Sequence, residues 1–420
     1  MTKENYIKNR KNYFSKIEDK SITVLFSGRN IQRTADQDYD FEVDKNFYYL
    51  TGINQNEVVL VMTKSGNEEK SILFIEKNDP FFMKWYGKKL TKEEAMEISG
   101  VENILFLEQF PNFIFSSLNS SRLGNNLFDK MYLNLERRNS KNYTTQALEY
   151  AKEMKEKYPE LKFMNNYNVI VNLRMIKSSE EVKLIQKSID TTRYGIEALM
   201  KNSKAGLYEY QLESYYDQYI KFNGQKDVSF KTIAASGING TVLHYSTNDT
   251  VLKEDELILF DLGCRTNLYI SDISRTFPVN GKFTPRQREV YEKVLNVNKK
   301  CIEFLKAGVT WKEYNDYARN LLAEACIELG LIKEAQEVTK YYWHSIGHSI
   351  GLDTHDPSLN YLPIQEGMTL TVEPGLYIEE EKIGIRIEDD VLITKDGCIN
   401  LSKDIIKEVD DIENFMKNNK

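Results

Sequence analysis

Four acidic residues and three histidines in the second half of this chain have the types and spacing to hold divalent metal ions. Asp261 in ELILFDLG and Asp272 in LYISDISRTF lie on two apolar runs joined by the polar CRTN segment. A hairpin with Thr266 and Asn267 at its tip sets Asp261 directly opposite Asp272. Facing positions hold Cβ atoms about 4.5–5.5 Å apart, where like charges are destabilising unless a cation lies between them. Glu373 in MTLTVEP and Glu388 in IGIRIEDDVLIT repeat the arrangement, because a turn centred between Glu380 and Glu381 sets them opposite each other. Ile alternates with Arg386 and Glu388, which turns Glu388 away from the apolar face, as Glu373 turns away from Leu370 and Val372. Four carboxylates with a nearby imidazole form a hard, oxygen-rich set suited to two divalent ions sharing a bridging water. Such ligation favours Mn(II), Co(II) or Fe(II) over structural zinc.

The imidazoles come from WHSIGHSIGLDTHDP, where Gly347 and Gly351 break a helical reading and leave His344, His348 and His355 on irregular backbone. Loops on a rigid scaffold are where sites are built, and three histidines this close point to metal binding or proton transfer. Spacing alone does not say which of them ligates. The only other histidine of the chain is His244, in TVLHYS.

These residues need elements to position them. Ser178 and Glu181 form a capping box that opens a long amphipathic helix with Val182, Ile185 and Ile189 on its apolar stripe. A second helix follows in LYEYQLESYYDQYIKF, and then the Asp261/Asp272 hairpin. The order repeats: Thr284 with Pro285 opens one helix, Thr310 with Glu313 opens another, and the Glu373/Glu388 hairpin follows. The pattern predicts a duplicated, two-fold-like α+β domain over residues 173–420. Residues 1–172 read differently, as a mixed α/β domain whose first strands are SITVLF, NFYYLTG, EVVLVM and SILFIE, followed by alternating helices and strands.

With 420 residues, 41% of them hydrophobic and including 26 Tyr and 20 Phe, the chain has the material for two such cores. The formal charge of -7, with 56 basic against 63 acidic groups, gives no attraction for a phosphate backbone and excludes nucleic acid as an expected partner. No apolar run approaches the roughly 20 residues that span a bilayer. Neither an export signal nor a CxxC pair is visible, and the four cysteines are widely spaced, so a reducing, cytoplasmic setting is expected.

Taken together, DLGCRTNLYISDISRTFPVNGKFT, HSIGHSIGLDTHD, TVEPGLYI and GIRIEDDVLIT resemble the successive metal-site motifs of the Xaa-Pro metallopeptidase family, the pita-bread fold of aminopeptidase P, prolidase and methionine aminopeptidase. RTADQDYDFEVDKNFYYLTG and KWYGKKLTKEEA resemble the amino-terminal, creatinase-N-like domain of aminopeptidase P. The resemblance implies five metal ligands, Asp261, Asp272, His348, Glu373 and Glu388, with Asp272 and Glu388 bridging two ions, Mn(II) foremost. It implies attack by a bridging hydroxide, with Glu373 taking the proton and His344 and His355 flanking the scissile bond. His244, Tyr377 and Arg386 match residues around the substrate pocket. Trp85 matches an aromatic that reaches a neighbouring subunit's site, which implies a homodimer or homotetramer. One position departs from the pattern: Glu42 stands where a basic residue is expected after Tyr-x-Phe. The activity implied is removal of an N-terminal residue ahead of proline. A prolidase restricted to dipeptides is the alternative, and a metal-free binding module or creatinase-like hydrolase is a third reading.

Overall fold

The β-branched and aromatic run SITVLF forms strand Ser21–Phe26, buried at all six positions, in the middle of a six-stranded sheet. The computed structural model describes residues 1–119, 128–137 and 144–419, which divide into two units, Met1–Arg174 and Met175–Lys420. The sheet belongs to the first. Val59–Ser65 pairs antiparallel with Ser21–Phe26, and Lys130–Leu133 runs parallel to it on the other side. Ile22, Val24, Val61, Phe74 and Met131 share one core with Phe110 and Ile114 of helix Phe110–Leu118 and with Ala147, Ala151 and Met154 of helix Gln146–Lys157.

One expected strand of this unit is a helix. NFYYLTG lies in helix Lys45–Thr51, where Asp44 caps the start by accepting from the Phe47 N–H at 2.9 Å and Gly52 ends it at φ 71°. Phe47, Tyr48, Tyr49 and Leu50 are all buried. A short helix buried all round shows no polar face, so its sequence is indistinguishable from a buried strand. Glu42, just upstream, pairs with Lys45.

The second unit contains the duplicated pattern. Helices Ser179–Asn202 and Glu209–Phe222 precede the first hairpin, and Pro285–Phe304 and Trp311–Glu328 precede the second. The capping boxes at Ser178/Glu181 and Thr310/Glu313 are present. Ile185 and Ile189 are buried, and Val182 is half-buried.

In the first hairpin Asp261 faces Ser274, not Asp272. The turn residues are Asn267 and Leu268, at φ 47° and 67°, one residue beyond the expected tip. A two-residue hairpin turn with both central φ values positive matches the strand twist. Leucine is an unusual residue for that conformation, which is why the sequence pointed to the wrong pair. The resulting offset of two residues keeps Asp261 and Asp272 on the same face. In the second hairpin, the register Val372↔Asp389 and Gly375↔Arg386 sets Glu373 opposite Glu388, as expected. At the next pair Ile387 N–H donates to Pro374 O at 3.2 Å, and Pro374 has no N–H to return the bond. The Glu373 N–H donates instead to Ile346 O at 2.8 Å, and the Glu388 N–H to Ser274 O at 3.1 Å. Among the described residues, no helix is long and apolar enough to cross a membrane.

Candidate metal centre

The histidine segment is pinned along the strand that carries Glu373. Ile350 N–H donates to Thr369 O, Thr371 N–H to His348 O and Glu373 N–H to Ile346 O, at 2.8–3.1 Å. Gly347 permits this approach, since a Cβ there would stand 2.1 Å from Thr371 O. One ligand atom each from Asp272, His348 and Glu388 lie within 4.8 Å of one another. His348 Nε2 is 3.5 Å from both Asp272 Oδ2 and Glu373 Oε1. Its Nδ1 lies 3.1 Å from the carbonyl of Ser349, which can only accept, so the proton sits on Nδ1 and the Nε2 lone pair points at the carboxylates.

Arg386 ties the remaining acid into the cluster. Its Nη2 donates to Asp261 Oδ2 at 2.6 Å, its Nε to Ser274 Oγ at 2.7 Å and its Nη1 to the Tyr377 hydroxyl at 3.1 Å. Ser274 Oγ in turn donates to Glu388 Oε2 at 2.7 Å. Asp261 Oδ1 is buried with no hydrogen-bond partner. An orphaned buried carboxylate oxygen beside three further acids and a neutral imidazole is a donor set suited to divalent metal.

Electrostatics give the same picture. Burial, followed by repulsion from Glu388 and Asp261, raises Asp272 well above the carboxylate range. Glu388 is raised in the same way, by burial and then Glu373 and Asp261. Burial pushes Glu373 up to about 8, with Arg386 opposing and Asp261 adding. Carboxylates packed this closely cannot all ionise without added positive charge. Burial lowers His348 to about 3, helped by His355, and lowers His344 to about 4, helped by Arg386 and His244. Both imidazoles are therefore neutral near pH 7.

Asp261, Asp272, His348, Glu373 and Glu388 thus converge, with His344 beside them: its Nδ1 is 3.8 Å from Glu373 Oε2 and its Nε2 is 2.8 Å from the Tyr377 hydroxyl. The His355 ring stacks on His348 with centroids 3.9 Å apart, and His244 is exposed and close enough to lower both His344 and His355. Tyr377 and Arg386, expected around the pocket, are each 2% exposed and give their polar atoms to protein partners. Trp85 belongs to the first unit, where it is 70% exposed on helix Pro80–Tyr86. Two contributors escaped the sequence reading. Ser274 links Arg386 to Glu388, and Asp390, fully buried, accepts the Asp272 N–H at 3.1 Å. A register centred on the correct turn would have shown Ser274 facing Asp261, but nothing in EDD separates Asp390 from a solvated acid.

Comparison with known proteins agrees with this geometry. Residues 183–395 match the model of metallopeptidase family M24, and residues 6–125 that of the aminopeptidase P N-terminal domain. Xaa-Pro aminopeptidase of Haemophilus influenzae is 32% identical, over 99% of this chain and 98% of its own. A Bacillus anthracis structure provisionally named aminopeptidase P is 43% identical with a TM-score of 0.97, covering 100% of this chain and 99% of its own. Aminopeptidase P from Escherichia coli, solved with the inhibitor Pro-Leu and in a zinc-substituted form with product, is 28% identical with a TM-score of 0.91 over 100% of this chain and 99% of its own. An α/β amino-terminal domain followed by a pita-bread catalytic domain is therefore the architecture, and the chain belongs to metallopeptidase family M24, in its aminopeptidase P branch.

Proposed function

We propose that this protein is an Xaa-Pro aminopeptidase, hydrolysing the first peptide bond of peptides whose second residue is proline. The observation that carries the reading is the convergence of Asp261, Asp272, His348, Glu373 and Glu388 in one largely buried cluster, within a chain that matches Xaa-Pro aminopeptidases along its whole length. These five side chains would hold two divalent ions, with Mn(II) the first choice for an oxygen-dominated set. Bound there, such ions would supply an activated water and polarisation of the scissile carbonyl.

The protein's own groups do the rest. Glu373, whose Oε1 lies 3.5 Å from His348 Nε2, takes the proton of the attacking water and returns it to the proline nitrogen as the C–N bond breaks. His344, neutral, with Nδ1 on the Ser345 carbonyl and Nε2 on the Tyr377 hydroxyl, sits beside Glu373 and flanks the scissile bond. His355 and His244 line the approach. Arg386 fixes Asp261 and Tyr377 in place, and through Tyr377 it orients His344. An Xaa-Pro bond is a tertiary amide without an N–H, so a site for it must recognise the ring and the carbonyl instead.

The same proposal includes self-association and a cytoplasmic location. Phe81, Phe82, Trp85 and Tyr86 are 58–76% exposed on a single short helix, an apolar surface of the kind that marks an interface. Cys264, Cys301 and Cys326 are buried free thiols, as a reducing compartment allows. The deciding assay compares Xaa-Pro-Xaa tripeptides, Xaa-Pro dipeptides and Xaa-Ala-Xaa peptides with added manganese. Preference for the proline tripeptide is expected. Preference for the dipeptide moves the assignment to prolidase, and full activity after exhaustive demetallation refutes the metal reading.

A further inference from the structure

The loop that follows His348 is built around a buried carboxylate. Asp356 Oδ1 accepts the backbone N–H groups of Leu352 and Asp353, both at 3.1 Å, and the Asp356 N–H donates to Ser349 O at 2.8 Å. Residues 349–356 are closed into a ring by these bonds, with Gly351 lying against the carboxylate so tightly that a Cβ there would stand 2.7 Å from Asp356 Oδ2. The other oxygen meets Lys177 Nζ at 3.0 Å, and both side chains are 1% exposed. Lys177 immediately precedes Ser178, the N-cap of helix Ser179–Asn202, and its own N–H donates to Gly367 O at 2.9 Å. The ammonium thus comes from a firmly anchored piece of backbone outside the loop.

A buried pair of this kind is a poor source of net stability. Removing two charges from water is costly, and an apolar pair of similar volume commonly does as well or better. What the pair does specify is the path of the loop. His355 is adjacent to Asp356, and its ring lies on His348 with centroids 3.9 Å apart and planes 9° from parallel. A change in the path of the loop would shift the His355 ring on that stack and move its exposed edge.

We propose that Lys177 and Asp356 are positioning residues for catalysis, whose buried ion pair locks the 349–356 loop so that His355 is presented to the peptide against the metal-ligating His348. The proposal rests on the reading of His355 as a substrate-facing residue. Neither Lys177 nor Asp356 touches the reacting atoms; they act through His355.

The test is a double-mutant cycle on the manganese-loaded full-length enzyme. Asp356→Asn keeps the size of the side chain and an acceptor for the two N–H groups but leaves Lys177 without its counter-charge. In the wild-type background it is expected to lower kcat on the order of 100-fold, with the content of both ions unchanged. In the His355→Ala background, already impaired, the same substitution should cost no more than about twofold, because the two residues act as one unit. Equal fold losses in both backgrounds would show a merely structural role and overturn the proposal, as would an Asp356→Asn enzyme of normal kcat. A fully active His355→Ala enzyme would remove the His355 reading itself, and the positioning proposal with it. Should the single variant fail to fold, Lys177→Met combined with Asp356→Asn restores charge balance and carries the same comparison.

Discussion

Removing the metal ions should make this protein's stability fall as pH rises. In the stripped protein Glu373 has its carboxyl pushed from 4.5 to about 8, chiefly by burial, and Asp272 and Glu388 are raised well above their usual range. A carboxyl raised in the fold binds its proton more tightly there than in the unfolded chain. Its contribution is therefore complete below pH 4.5 and is lost as pH climbs through about 8. For one such proton the slope is about 1.4 kcal/mol per pH unit. Between pH 6 and pH 8 that group alone should cost the stripped protein about 2 kcal/mol, several degrees in the Tm of a unit this size, with the lowered His344 and His348 offsetting part of it below about pH 7. Loading reverses the trend, because ligands must be deprotonated to bind metal and affinity rises with pH. An ion at a thousand times its Kd adds about 4 kcal/mol. Differential scanning calorimetry of chelator-treated and manganese-loaded protein from pH 6 to 8.5 should show a gap that widens with pH. A gap independent of pH, or a stripped protein that gains stability toward pH 8, would refute the argument that the uncompensated carboxylates set the balance.

His348→Ala should lose bound metal, whereas His344→Ala should keep both ions and lose mainly turnover, since the former points its Nε2 at Asp272 and Glu373 while the latter bonds Tyr377; elemental analysis of the two variants distinguishes the roles. Gly347→Ala should destabilise the protein by about 2–4 kcal/mol, because its Cβ would collide with the Thr371 carbonyl and detach the histidine segment from the Glu373 strand; chemical denaturation measures it. Trp85→Ala should weaken self-association and raise KM without changing metal content, as read by sedimentation and steady-state kinetics; a wild-type monomer with full activity would contradict the interface.

The four acids stood out because burying acids in apolar strands has few other uses, and the helices around them announce their starts with capping boxes whose partners are three residues apart. Such features are local, so sequence spacing expresses them. The second hairpin's register was readable for the same reason: Glu373 and Glu388 sit equally far from a turn whose centre was correctly placed. The first was not, since a leucine at positive φ moved the turn by one residue and the pairing by two. Helix Lys45–Thr51 was hidden because its burial on every side removes the periodicity that distinguishes it from a strand. Arg386, Ser274 and Asp261 are joined across strands from opposite halves of the duplicated domain, and Lys177 meets Asp356 from 179 residues away. Contacts of that kind depend on how elements pack and leave no trace in periodicity or spacing. The sequence alone marked the four acids and the histidines as candidates for the chemistry; tertiary structure decided which oxygen is clamped, which is left unpartnered, and what holds the histidines, because those are set by desolvation and distance across the fold.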